Sequence, residues 1–443
     1  VIHFLKRNRI PWWVVRSILL AALSAESSEV AASRNRVLRP ISSPDYPVVL
    51  KGKDIPSLAG VPIGRIALYA VHKSGLEPIP FQIDRRDRKG RFQIPRTDRE
   101  RKEESRSSFD DNDECVFMAG DLGRKIEVLP APFRGASAVE IGITDPETGR
   151  KGWIYALVFH ERAPEYARQD DVSYDRSHDA VETDTYRIAF SETHPFLVSE
   201  LSWKETGAGR TGPNLADTMK VRHRGKLFGR FDFVRTEEDY ASRVTAVKDG
   251  PVRVIRRTSN RVRILWRLRT PAISIDYLCY RNAFYMDTWI DIPFRIGWFF
   301  SDVETLMTLD GNDDPTAPKR RVYSRSAPQG LAINGTMSEA KRAFNASGDR
   351  DFALSTPDGL ILVGLNLEKD FPIRYRAYLM DDKEIPDPPE NIPGQFGNLG
   401  FLTTNWEALH TSLHHMLFTV YLVRDLSAEK GLKLLRNAPK GIH

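Results

Sequence analysis

The chain has 443 residues, is 41% hydrophobic and 28% charged, and carries 65 basic against 59 acidic residues for a formal charge of +6. That length accommodates two or three domains with ample core, and it excludes neither an enzyme nor a binding protein. The small, evenly mixed charge gives no support to a nucleic-acid partner, and no zinc-finger, helix-turn-helix or RNA-recognition pattern accompanies it.

Lys6, Arg7 and Arg9 precede a short apolar run through Trp12–Val15 and Ile18–Leu23, and small residues follow at Ser24-Ala25 and Val30–Ala32. Basic, apolar, then small is the order of a secretory signal peptide over residues 1–32, with a periplasmic or secreted location expected. The run is shorter than the roughly 20 residues that spanning a bilayer needs, so an uncleaved anchor is the alternative, and no later stretch is long and apolar enough to span. Cys115 and Cys279 could form one local staple or remain buried thiols.

Strands are expected at 47–51, 66–71, 80–84, 138–144 and 152–159, with Asp145–Gly149 as a hairpin turn. These form an N-terminal β-sandwich over 45–160. The charged segment 84–108 reads as a solvated, partly disordered excursion, and 161–182 as a linker. From residue 183 to 443 the strands lengthen: 186–190, 196–203, 220–222, 226–233, 242–247, then 352–355, 359–367, 373–378 and 414–423. The region 310–350 reads as turn-rich, and Ser427–Asn437 as a helix.

The most regular pattern lies between Gly250 and Pro293. Arg261, Arg263, Leu265, Arg267 and Arg269 alternate with Val262, Ile264, Trp266 and Leu268. Phe284, Met286, Thr288, Ile290 and Ile292 likewise alternate with Tyr285, Asp287, Trp289 and Asp291. A period of two is that of a half-buried strand, so the segment predicts an antiparallel sheet with one apolar and one polar face. The polar face is the candidate binding surface. Arg261, Arg263, Arg267 and Arg269 are suited to an anionic ligand, and Trp289 to stacking on a sugar. His194, His223, Tyr240 and Tyr285 are the candidate acid/base groups. The alternative is a solvated face on which the arginines pair with Asp276, Asp287 and Asp291.

Asp110, Asn112, Asp113 and Glu114 crowd hard oxygen ligands into one turn, as calcium requires, although Cys115 stands where an EF-hand loop needs glycine. A turn capped on its own backbone is the alternative. Asp310–Asp314 is a second oxygen-rich turn. His414 and His415, in a strand, would point to opposite faces.

Ile79–Asp84 and Asp110–Asp121 resemble secreted bacterial β-sandwich proteins of uncharacterised function that carry a "PxQxD … DELVF" pattern. The matching residues are Pro80, Gln82 and Asp84, then Asp113-Glu114-Cys115-Val116-Phe117 with cysteine in place of leucine. The long-stranded half, through Tyr186–Trp203 and Gly250-Pro-Val-Arg-Val, is similar in layout to the galactose-mutarotase-like supersandwich of sugar epimerases and polysaccharide-lyase β-domains. The mutarotase set of one glutamate and two histidines has no residue-by-residue counterpart here. The resemblance implies an all-β chain, a small N-terminal β-sandwich before a large antiparallel supersandwich-like domain with a short C-terminal helix. The expected function is binding, with processing as an extension, of a carbohydrate polymer on the polar sheet face. If enzymatic, the activity would be of polysaccharide lyase or sugar epimerase type. The competing expectation is an envelope or assembly protein that uses the same face for a protein partner.

Overall fold

The computed structural model describes residues 3–6, 45–73, 75–126, 137–145, 148–164, 170–205, 210–265, 267–312, 320–385 and 396–437. Most of the signal-peptide segment, the Asp313–Asp314 end of the second acidic turn and Trp266 lie outside them. The fold is all-β, its ladders antiparallel, with three helices among the described residues. None of those helices is long and apolar enough to cross a membrane. Two compact units divide between Asp170 and Asp171.

In the first unit, Ser137–Thr144 and Lys151–Val158 pair as the expected hairpin, and the Gly149 N–H closes the turn on the Asp145 carbonyl at 2.9 Å. Gly149 has φ +68°, a conformation glycine reaches without a Cβ penalty. Ile66–His72 extends this sheet beside Lys151–Val158. A second sheet sets Glu114–Met118 between Pro47–Lys51 and Gln82–Asp84. The two halves of the "PxQxD … DELVF" pattern are therefore neighbours, with Ile83 opposite Cys115 and the buried Gln82 amide donating to Asp84 at 2.9 Å. The charged excursion is more ordered than expected. Asp98–Arg106 is an α-helix whose N-cap, Thr97, exchanges hydrogen bonds with Glu100, and no residue of the helix is buried.

In the second unit, the segment expected to be a linker is structural from residue 171. Val172–Asp175 and Ala180–Thr183 join Tyr186–Phe190, Val198–Lys204 and Thr211–Asn214 in one five-stranded sheet. Another five-stranded sheet orders Phe231–Arg235, Ala216–Leu227, Phe300–Gly311, Asn398–Thr404 and Arg374–Met380. The stretch 226–233 is not one strand. Phe228 (φ +53°) and Gly229 (φ +65°) make it the tip of a hairpin, a conformation unusual for an aromatic residue.

The largest sheet is ten-stranded and centres on Tyr240–Asp249, Arg253–Leu265, Ile273–Tyr280, Ala283–Ile292, Ser412–Val423 and Gly359–Leu367, in that order. Its alternation is the one read from the sequence. Phe284, Met286, Ile290 and Ile292 face a core that also holds Leu399, Phe401 and Met307 of the smaller sheet. One arginine breaks the pattern: Arg256, at an even position, is fully buried. The helix Glu339–Ala346, N-capped by Ser338, lies in the region expected to be turns. The helix Ala428–Asn437 ends the described chain and buries Leu432, Leu434 and Leu435.

Candidate functional site

Directly opposite residues of an antiparallel ladder point to the same side of the sheet. The register of the large sheet therefore aligns Arg243, Ser259, Ser274, Trp289 and His415 in one row across five strands of its outer face. At about 4.8 Å per strand, Arg243 and Trp289 stand roughly 14 Å apart with only two serines between them. The row is a shallow trough with a floor of small hydroxyls, a guanidinium at one side and an aromatic wall at the other. Arg261 lies one step along the strand from Ser259's row, opposite the small Ala241. Arg243 and Arg261 are exposed, and neither has an ion-pair partner among the described residues.

The aromatic wall is braced. His415 stacks on Trp289 with ring centroids 4.2 Å apart, and its Nε2 lies 2.6 Å from Asp287 Oδ1. His415 Nδ1 is 4.0 Å from Glu368 Oε1. Burial raises the Glu368 carboxyl above its usual range, with the neighbouring histidines opposing the shift. One imidazole is thus held between two carboxylates beside the trough. His414 faces the other way, stacked on Phe371 at 5.0 Å.

Two further arginines of the polar face are taken up in pairs. Arg257 makes a bidentate bond to Asp276 at 2.7 and 2.6 Å, and Arg263 is bound by Asp239 at 2.6 Å. The expected Asp276 and Asp287 partners are real partners, but of Arg257 and His415. Arg267 and Arg269 sit at the exposed hairpin tip beyond Arg263, away from the serine row, and lack ion-pair partners among the described residues. Tyr285 is on the outer face but buried, its hydroxyl 2.6 Å from that of Tyr421, and burial drives its pKa well above the ordinary phenol value.

His223 and Tyr240 lie on the opposite side, between the sheets. His223 Nε2 is 2.7 Å from the Tyr240 hydroxyl and Nδ1 is 2.7 Å from Thr305 Oγ1. Burial lowers the His223 pKa to about 4, against an opposing pull from Asp239, so the ring is neutral at pH 7. Burial likewise raises Tyr240 strongly. His194 is separate from that couple, 3.4 Å from Glu238 through Nε2. The structure thus brings His223 and Tyr240 together, and keeps both off the face that carries Arg261 and Trp289.

His223 and Tyr240 border a cavity of about 230 Å³ whose other walls include Val262, Ile264, Ile290 and Phe418. A neighbouring cavity of about 130 Å³ shares Met219, Met286, Met307, Phe401 and Phe418 with it.

In the acidic turn, Asp110 Oδ1 accepts the Asn112 N–H at 2.8 Å. Asp113 Oδ2 accepts the Asp110 N–H at 3.0 Å, and Glu114 pairs with Arg86 at 2.6 Å. The first two bonds cap the turn on its own backbone, and the third ties it to Arg86. Asp310, expected in a second oxygen-rich turn, is in the strand Phe300–Gly311, buried and paired with Lys220 at 2.8 Å. Cys115 and Cys279 are both free and buried, and desolvation pushes each thiol up to about 12.

No protein-family model and no curated protein matches the chain. Among solved structures, an alpha-mannosidase from Enterococcus faecalis V583 is similar at TM-score 0.37 and 10% identity, over 86% of this chain and 41% of that one. A glycosyl hydrolase family 38 protein from Enterococcus faecalis gives 0.36 and 8%, over 86% and 43%. A beta-arabinopyranosidase gives 0.27 and 8%, over 58% and 40%. The chain spans about two fifths of the length of each. At such scores the likeness carries no argument, and the functional reading rests on the site.

Proposed function

We propose that the second unit binds an acidic carbohydrate chain in the trough of its large sheet. The observation that carries this reading is the row Arg243, Ser259, Ser274, Trp289 and His415. The apolar face of a sugar ring packs against an indole, whose flat surface buries C–H groups without a demand for hydrogen bonds. The serine hydroxyls donate and accept along the floor, and Arg243 and Arg261 suit a uronate carboxylate through charge-assisted bonds. A flat face of paired Arg and Asp would favour a structural role. That description fits Arg257–Asp276 and Arg263–Asp239, while the trough row lies between those two pairs and carries the unpaired Arg243, with the unpaired Arg261 beside it. The His415–Asp287 couple supplies a proton-handling pair at the trough's wall. The basic-apolar-small order of residues 1–32 supports an exported protein, where such polymers are met.

The test is an array of acidic and neutral oligosaccharides, followed by titration of hits with the wild type, Arg243→Ala, Arg261→Ala and Trp289→Ala. Uronate-containing chains are expected to bind, with losses of roughly tenfold for each variant. Absence of glycan binding by the wild type, or binding unchanged in all three variants, refutes the reading.

A further inference from the structure

The inter-sheet cavity reaches the surface at one end of the second unit, where its lining includes Ile264, Pro271, Pro293 and Phe294. Pro271 and Pro293 are exposed. Around that end the protein leaves large apolar side chains in water: Phe228 is 63% exposed, Phe231 59%, Leu268 60% and Trp298 68%. They belong to one neighbourhood. Phe228 meets Phe299 at 6.1 Å and Phe299 meets Phe294 at 5.2 Å, ring centre to ring centre. Arg235 ties the hairpin carrying Phe231 to the hairpin carrying Leu268 by donating to the Arg263 carbonyl at 2.7 Å and to the Ile264 carbonyl. Exposed apolar side chains gathered around a cavity mouth mark a binding site.

Charge gathers at the same lip. Arg267 and Arg269 flank Leu268, Arg295 stands between the cavity-lining Phe294 and Ile296, and Arg230 adjoins Phe231, against one exposed carboxylate in the lining, Asp291. Arg267, Arg269 and Arg295 have no ion-pair partner among the described residues. The interior has the opposite character, since its few polar groups include the His223–Tyr240–Thr305 chain, already bonded to itself. An apolar cavity of about 150 Å³ stays dry and accepts apolar guests. This one, at about 230 Å³, is larger.

We infer that this cavity is a binding site for the alkyl chain of an anionic amphiphile, its carboxylate or phosphate held by the arginines of the lip. Burial of the chain supplies affinity, and the guanidinium groups select the head. This site lies on the opposite side of the large sheet from the trough, so either can fail without the other.

The test uses the full chain and 9,10-dibromostearate, whose bromines quench nearby indoles. Trp406 lines the cavity, whereas Trp298 is an exposed residue of the lip. The expected result is saturable one-to-one quenching that Trp406→Phe largely removes and Trp298→Phe largely leaves. Ile264→Phe, which narrows the outer end, is expected to weaken uptake at least tenfold. Arg269→Glu/Arg295→Glu, confined to exposed residues, is expected to weaken stearate several-fold while leaving competition by stearyl alcohol unchanged. Phosphatidylglycerol vesicles with brominated chains are compared with the free acid. Trp406 quenching by the vesicles assigns a membrane lipid as source, and quenching by the acid alone assigns a soluble amphiphile. No saturable quenching from either, or quenching lost only with Trp298→Phe, overturns the inference. So does uptake unaffected by an Ile264→Phe variant that keeps the wild-type melting temperature.

Discussion

Arg256→Leu is the substitution that most directly tests how the large sheet holds its shape. Arg256 is fully buried at an inward position of Arg253–Leu265. Its Nε donates to Asp179 Oδ1 at 2.6 Å, a second nitrogen bonds Asp179 Oδ2, and a third donates to the Pro195 carbonyl at 2.7 Å. The guanidinium also lies over the Phe190 ring, 3.8 Å from its centre. Leucine strands the Pro195 carbonyl and removes the cation facing Asp179. Breaking a buried pair by deleting one partner costs about 3–5 kcal/mol. The Asp179 side chain keeps 27% exposure and its bond from Tyr174 at 2.7 Å, so water relieves part of that cost. A loss of about 3 kcal/mol is expected. For a unit of this size that is a fall in melting temperature of roughly 6–12 °C by calorimetry on the full chain. Arg263→Ala is the control: Arg263 is half exposed and paired only with Asp239, and such surface pairs contribute about 0–1 kcal/mol. Equal effects of the two substitutions, or a shift below 1 °C for Arg256→Leu, would refute the argument that the inward guanidinium is structural.

Thr288 is buried on the inner face, and its hydroxyl has no hydrogen-bond partner among the described residues, so the isosteric Thr288→Val is expected to stabilise by about 1–2 kcal/mol in urea unfolding. A destabilised variant would show that the hydroxyl is satisfied. His223 has a folded pKa of about 4, below the unfolded value of about 6.5, so the unfolded chain binds more protons between those values. The contribution is fully present above pH 6.5 and is lost as pH falls toward 4. Its melting temperature should therefore drop more steeply over that window than that of His223→Gln; parallel curves would exclude the linkage. Thr97→Ala removes the N-cap bond to Glu100, 3.2 Å long, and is expected to speed amide exchange across Asp98–Arg106 with a local cost of about 1 kcal/mol. Unchanged exchange there would contradict the capping argument.

What could be read from the sequence follows from what alternation encodes. Period two assigns each residue a face, and Val262, Ile264, Met286 and Ile290 all face inward as that rule demands. It does not assign a partner strand. Arg256 has the wrong polarity for its face, and its partners, Asp179 77 residues earlier and the Pro195 carbonyl, explain it. The trough is legible only in part for the same reason: alternation offers Arg261 and Trp289, but its residues come from five strands, and Ser259 and Ser274 carry no signal until register aligns them. The helices Asp98–Arg106 and Glu339–Ala346 were hidden differently. Their caps, Thr97 with Glu100 and Ser338, were readable signals, but high charge in the first and a turn-rich setting in the second masked them.

The two proposed sites share their strands, so one register sets the residues that each of them presents. Thr288 and Ile290 face the cavity while Trp289 between them walls the trough. A slip of one residue in Ala283–Ile292 would put Trp289 into the core and open Thr288 to solvent, exchanging both faces at once. That strand is held on both sides, by Ile273–Tyr280 and by Ser412–Val423. The Asp287–His415 bond spans the second ladder on the outer face, and the Trp289–His415 stack lies beside it. Both contacts tie the two strands together in that register. A ligand in the trough that engages Trp289 should therefore slow amide exchange in Ala283–Ile292 and Ser412–Val423. A chain in the cavity, pressing on the inner side chains of the same strands, should protect the same amides. Protection by both ligands, with neither changing the other's affinity, is expected if the sheet is a rigid partition. Mutual weakening would show that the strands shift to accommodate a guest, because coupling between two sites is reciprocal.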